Sequence, residues 1–418
     1  MRRLIKALAV LAVVLAGAVT AIAVHRLQGE KDIRGSSTEE FTLTTTETPP
    51  PAAGDPIVWP QYGLDGTRTR NVDVALRPPF RRVWTYHAGS LVEFPPAIGY
   101  NRLFFSTNSG KFAAISTRTG KRAWKFSSHR CVAASPALGP QNTGTVYAVF
   151  LNKPPCNRAR AKDGKIIAFA AGNGKIRWQR TIGPSESSPL LVRDRLYVGD
   201  WNGTLWALHA KSGRVIWRFH IHGAIKGAAA IFGKRLYFGA YNGHVYCVNV
   251  RTGKQLWRGS AQGTLLSNST FYTTPALAYG RVYIGATDGK MYSFGATTGR
   301  RIWSHSTGGY VYASAAIWNG LVLVGSYSHW FYAFNAATGD VRWRFKANGP
   351  ISGSPTVIGK TVYFATLGKK RSGRTYALDV RTGKQVWTYP DGKYSPAIAD
   401  THRLYLVGYA RIYGMVPK

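Results

Sequence analysis

Of the six glutamates in this 418-residue chain, only two, Glu93 and Glu186, lie beyond residue 57. Each stands three residues before a recurring Pro, in units that repeat along the chain. At the same place in other units are Ala133, Lys226, Tyr272, Tyr312, Ser352 and Lys393. Successive units would set Lys226 beside Glu186 and, if the chain closes on itself, Lys393 beside Glu93. Opposite charges flanked by the phenols of Tyr272 and Tyr312 suit a polar ligand or a peptide. The plainer reading is two exposed ion pairs that neutralise a rim and contribute little.

Other reactive groups form weaker patterns. The histidines show no His-Glu-x-x-His spacing, and His220-Ile221-His222 is at most two ligands on one side of a strand. No Gly-x-Ser-x-Gly turn and no Gly-Lys-Ser/Thr phosphate loop occurs. Twelve carboxylates beyond residue 57, most of them in turns, are too few and scattered for a calcium cage, so no metal is expected. Cys131 and Cys156 fall in loops that leave one face of the same unit, so a disulfide is expected if the domain is exported; the alternative is two unrelated thiols. Cys247, between Tyr246 and Val248, reads as a small buried apolar residue. Trp201 and Tyr241 occupy equivalent places after a strand, where exposed rings stack on sugars or bases but more often pack between repeats.

The elements that carry these residues are set by one recurring phrase: a turn, Gly, usually Lys or Arg, two residues, then Trp. It ends on Trp124, Trp178, Trp217, Trp257, Trp303, Trp343 and Trp387, and Trp84 stands one unit earlier without its Thr-Gly. A period near 40 residues marks a propeller or solenoid. Short β-branched and aromatic runs alternate with Asn202-Gly203, Asn242-Gly243 and Asp288-Gly289, the pairs favoured by type I′ hairpins. In the third unit they give strands at Ser187–Val192, Arg195–Gly199 and Thr204–Leu208, and a fourth around Trp217. Four antiparallel strands per unit make a propeller blade. Eight such units start between Pro95 and Ser395, and the last lacks its Trp strand. The strand of Trp84 should therefore complete it and close an all-β, eight-bladed ring over 57–418, with no sheet edge left open.

Upstream, Arg2, Arg3 and Lys6 precede an uncharged run over 7–24, which predicts an N-terminal transmembrane helix within 1–25 or, if cleaved, an export signal. The basic start holds the N-terminus in the cytoplasm and exports the rest. Residues 26–56, rich in Ser, Thr and Pro, read as a disordered tether. The net charge is +37, and 49 of the 55 basic residues lie beyond residue 57. Such a field favours anionic wall polymers or lipid head groups, or simply keeps the surface solvated; nucleic acid is not the expected partner of an exported, monomeric propeller.

The phrases Ala377-Leu378-Asp379-Val380-Arg381-Thr382-Gly383-Lys384 through Trp387, and Val248-Asn249-Val250-Arg251-Thr252-Gly253-Lys254 through Trp257, resemble the tryptophan-docking motif of pyrroloquinoline-quinone (PQQ)-like repeats. Trp59-Pro60-Gln61-Tyr62-Gly63 is similar to the usual start of such domains. The resemblance implies that each Trp packs between neighbouring blades. It also implies two functional branches. Quinoprotein dehydrogenases hold PQQ and Ca²⁺ in the funnel, often beside adjacent cysteines that are absent here. The BamB-like branch is non-catalytic and serves assembly at the outer membrane; here no Cys is placed for its lipid anchor. The expectation is a membrane-anchored envelope scaffold without a cofactor that binds a protein or peptide, with a PQQ enzyme or a polyanion-binding surface protein as alternatives.

Overall fold

In the computed structural model, residues 31–42, 57–154, 156, 163–262, 269–368, 373–395 and 397–418 are described, together with Gly17. They form eight sheets in a ring, each built on a four-stranded antiparallel blade. The third blade runs outward as Leu190–Val192, Arg195–Gly199, Thr204–His209 and Val215–His220. Its innermost strand is shorter than the expected Ser187–Val192. The Ser187 and Ser188 hydroxyls take the amides of Gly199 and Ser135 instead, at 3.1 and 3.0 Å, which holds the start of the blade in loop conformation.

The eighth blade is Ile398–Ala399, Leu404–Val407 and Arg411–Pro417, and its outermost strand is Phe80–His87 from the other end of the domain. The ring is thus closed by an N-terminal strand, and Trp84 lies opposite Gly414. The rule is general. Trp124, Trp178, Trp217, Trp257, Trp303, Trp343 and Trp387 face Ala114, Ala168, Ala207, Cys247, Ser293, Ala333 and Ala377. A small residue is required because the indole lies across it. Cys247 is buried and free because it fills this place in the fourth blade.

Seven of the eight indoles then donate to the next blade. The Nε1 of Trp84, Trp124, Trp178, Trp217, Trp257, Trp303 and Trp343 donates to the carbonyls of Thr117, Ala171, Ala210, Val250, Ala296, Ala336 and Val380, at 2.8–3.2 Å. The Gly of that next Thr-Gly turn covers the ring: at Gly253 φ is +72°, and an added Cβ would sit 2.7 Å from Trp217. Positive φ and lack of space both demand Gly there. Trp387 has no Gly to cover it, because the eighth blade has no such turn, and it meets Phe80 edge to face at 5.5 Å. The core therefore lies between blades, as where Tyr197 and Trp217 meet Phe238 and Tyr246.

The stretch 57–72 winds through the centre of the ring. Ile57–Trp59 pairs with the inner strand of the first blade. The amides of Leu138, Leu191, Ile231, Leu277, Ile317 and Val357, one per blade, then donate to Pro60 O, Gln61 Oε1, Gly66 O, Thr67 O, Thr69 O and Arg70 O. Asn71–Val72 ends as a parallel strand on the seventh blade. Inner strand edges that would be unpaired are thereby satisfied.

Part of the expected tether is also structured. Residues 31–42 run down the outer edge of the fifth blade, where Ile33 bridges Ser304. Arg34 pairs with Asp340 at 2.9 Å, and Arg281 donates to the carbonyls of Ser36 and Glu39 at 2.5 Å each. Phe41 packs on Tyr279. The disordered reading of 26–56 is corrected for 31–42, which specific side chains rather than apolar bulk dock; the rest of that stretch lies outside the described residues. The helix expected within 1–25 lies outside the described residues, and among the described residues no helix is long and apolar enough to cross a membrane.

Cys131 and Cys156 form a disulfide across 25 residues of sequence. Arg130 adds a second tie, 3.2 Å from both Leu151 O and Asp163 Oδ2. Cys131→Ser is expected to lower stability by about 3 kcal/mol through the freed loop entropy. The urea midpoint checks this, and reduction of the wild type should reproduce the shift.

Candidate functional site

The loops that carry Glu93, Glu186, Lys226, Tyr272 and Tyr312 converge on a funnel of about 560 Å³, open mouth included. The loop holding Glu186 is pinned on both sides. Ser185 Oγ donates to Gly199 O at 2.7 Å, and Ser187 Oγ accepts from Gly199 N. Asp200 secures the loop's start, accepting from Gly183 N at 3.1 Å and from Trp206 Nε1 at 2.7 Å.

Lys226 Nζ lies 3.6 Å from Glu186 Oε2. It also stands over three rings, 4.3 Å from Trp201, 4.9 Å from Tyr241 and 5.9 Å from Tyr272. Trp201 and Tyr241 thus belong to the site as walls of a cage for the ammonium; their equivalent places after a strand are the sequence signal. Tyr272 and Tyr312 meet edge to face at 5.3 Å, and Tyr312 continues to Tyr327 and to the exposed Tyr310. The floor is Tyr62, whose hydroxyl lies 3.0 Å from Ser354 Oγ and 3.3 Å from Ser314 Oγ.

The second expected pair does not form. Glu93 accepts from Asn108 Nδ2 at 2.9 Å, and the charge that favours its ionised form comes from Lys226. Lys393 points to Gly368 O at 3.4 Å and lies 5.8 Å over Tyr394 and Tyr409. The loop turns at Gly392, with φ +155°, and carries Lys393 aside.

Burial dominates the electrostatics. It raises the Glu186 carboxyl from an ordinary 4.5 to about 7; Lys226 opposes the rise and Glu93 adds to it. Burial likewise raises Glu93, and it keeps the Tyr272 phenol neutral. A carboxyl raised in the folded state stabilises the fold below pH 4.5, and that contribution is lost as pH rises through about 7. Stability should therefore fall by on the order of 1–3 kcal/mol across that window. Glu186→Gln should flatten the dependence in pH-resolved urea titrations.

Chemically, the funnel offers one caged cation, two carboxyls that are readily neutralised, and tyrosine edges. Calcium does not fit it: the cation needs six to eight oxygens, whereas one of the two carboxylates already faces an ammonium. Among the described residues no group of three His, Cys, Asp or Glu is placed to hold a metal. His220 and His222 touch each other at 6.2 Å without a third ligand.

A family model described as outer membrane protein assembly factor BamB matches residues 81–188, 202–316 and 306–409. The chain belongs to the BamB family of PQQ-like repeats. BamB of Shewanella oneidensis is 25% identical over 151 residues, which are 32% of this chain and 35% of that protein. The chain thus aligns with only about a third of this curated BamB. The crystal structure of BamB from Moraxella catarrhalis superposes with a TM-score of 0.65 at 18% identity, covering 81% of this chain and 100% of that one. Quinohemoprotein alcohol dehydrogenase from Comamonas testosteroni gives 0.71 at 16% identity, covering 88% and 82%. At such identities both superpositions speak to the fold alone.

Proposed function

We propose that this BamB-family propeller is a non-catalytic scaffold at the cell envelope, and that its funnel receives a segment of a protein partner. The observation that carries this reading is Lys226, held at once by Glu186 and by the rings of Trp201, Tyr241 and Tyr272. A cation fixed in this way is preorganised for a polar contact with a bound segment. The tyrosine rim supplies large, stiff, amphipathic contacts of the kind enriched where proteins meet. The relatives' own description as outer membrane protein assembly factors supports a protein partner. The N-terminal segment 1–25 would anchor the domain to the membrane.

A second reading draws on the outer wall. The outermost strand Val341–Lys346 turns Arg342, Arg344 and Lys346 along one side, and basic residues recur on other outer strands, as at Arg81, Arg82, Lys125 and Arg218. Such a wall would hold an anionic polymer or lipid surface through a salt-sensitive attraction.

Titration of the purified protein with PQQ and Ca²⁺ tests the scaffold against the enzyme. The expected result is no stoichiometric uptake and no dye reduction with alcohols or glucose. Tight one-to-one binding with dye reduction would sink the scaffold reading.

A further inference from the structure

Behind the funnel floor, the central segment places two arginines inside the ring. Arg68 and Arg70 are 1% and 0% exposed, and both have left-handed backbone, with φ of 64° and 56°. Such conformations are uncommon for residues other than Gly and persist where the surroundings enforce them. At each position the guanidinium is kept inside the ring and away from solvent.

Arg68 is partly satisfied. Its Nε donates to Ala229 O at 3.0 Å and its Nη1 to Tyr62 O, whereas its Nη2 meets no acceptor. Arg70 is less well satisfied: Nε, Nη1 and Nη2 are buried without a well-formed hydrogen bond, and what favours its charged form is the neighbouring Tyr62. Its guanidinium carbon stands over the Tyr62 ring, 3.9 Å from the centroid, while the Tyr62 hydroxyl is turned to Ser314 and Ser354. A ring face offsets part of the lost hydration but gives no in-plane partner to the N–H groups.

The charges do not balance either. The carboxylate that acts on Arg68 is Asp65, whose Oδ1 accepts from Arg68 N at 2.7 Å and from Thr67 Oγ1 at 2.9 Å. Two guanidiniums against one carboxylate leave one net positive charge in a closed, low-dielectric space. Isolated buried ions are strongly disfavoured, and Arg keeps its proton where Lys would release it. Full burial limits any counterion to a small one, and the net charge limits it to a single negative charge.

We propose that the ring interior around Arg70, behind Tyr62, is a binding site for a small inorganic monoanion of the halide class, held by Arg70 and by Nη2 of Arg68. The anion completes the hydrogen bonds of the central segment and so locks 57–72 to the inner strands of the blades. This site is separate from the funnel, and its failure would leave the funnel reading untouched.

Bromide is the probe. Crystals of the full chain grown in sodium bromide should show an anomalous peak within hydrogen-bonding distance of Arg70. In solution, the unfolding midpoint should rise with chloride or bromide at constant ionic strength, balanced by gluconate, and should saturate, because a ligand of the native state stabilises it by mass action. In Arg70→Met the half-saturating concentration should rise by about tenfold or more, as expected for losing charge-assisted hydrogen bonds. Should Arg70→Met fail to fold, Arg68→Met replaces it, and the wild-type bromide peak decides by itself. No peak, with only water at the arginines, would overturn the proposal. So would a halide response that is the same in wild type and variant.

Discussion

Deleting residues 411–418 is expected to abolish the cooperative unfolding transition. The strand Arg411–Pro417 pairs with Leu404–Val407 on one side and with Phe80–His87 on the other. Its loss leaves two sheet edges open, and edges of that kind invite pairing with other chains. It also removes buried Ile412, Tyr413 and Met415 and takes Gly414 from beneath Trp84. Burial of side chains of this size is worth roughly 1.5–3 kcal/mol each. Together they approach the whole net stability of a typical domain, about 5–15 kcal/mol. Calorimetry and near-ultraviolet circular dichroism check the outcome. A wild-type-like transition in the truncated chain would mean that the ring is held elsewhere.

Trp303→Ala is the second large effect, a loss of about 3–5 kcal/mol. Trp303 is 0% exposed, donates to Ala336 O at 3.0 Å, and contacts Tyr283 and Phe334. Gly339 of the next blade covers its ring and Gly35 of the docked segment lies against it. Its removal therefore opens a cavity where two blades and the segment 31–42 meet. Urea unfolding should show the lowered midpoint. Limited proteolysis should also cut within 31–42 earlier than in the wild type.

The ring was readable because its determinants are local and repeated. The Trp phrase, the Asn-Gly pairs and the displaced Trp84 each mark one strand or turn, and their count yields the closure. The central segment was not readable, since Pro60, Gln61 and Arg70 find partners only on blades arranged in a circle. The docked segment was hidden by composition: Arg34, Ser36, Glu39 and Glu40 look like tether residues until Asp340, Arg281 and Thr298 are brought to them. In the funnel, repeat alignment brought Glu93, Glu186, Lys226, Tyr272 and Tyr312 together, and adjacency identified the Glu186–Lys226 pair. It failed for Lys393, because a loop's path past Gly392 is not set by its register in the repeat.

The partner-binding role of the funnel is tested most directly by a photo-crosslinking residue placed at Tyr310, the exposed member of the tyrosine rim. In intact cells it should give one discrete adduct with an envelope protein. The same residue at Phe232, an exposed position outside the funnel lining, should not. Lys226→Ala should weaken the Tyr310 adduct by about tenfold, the effect of losing a desolvated charged contact. Adducts that are diffuse, equal at Tyr310 and Phe232, and indifferent to Lys226 would contradict the account.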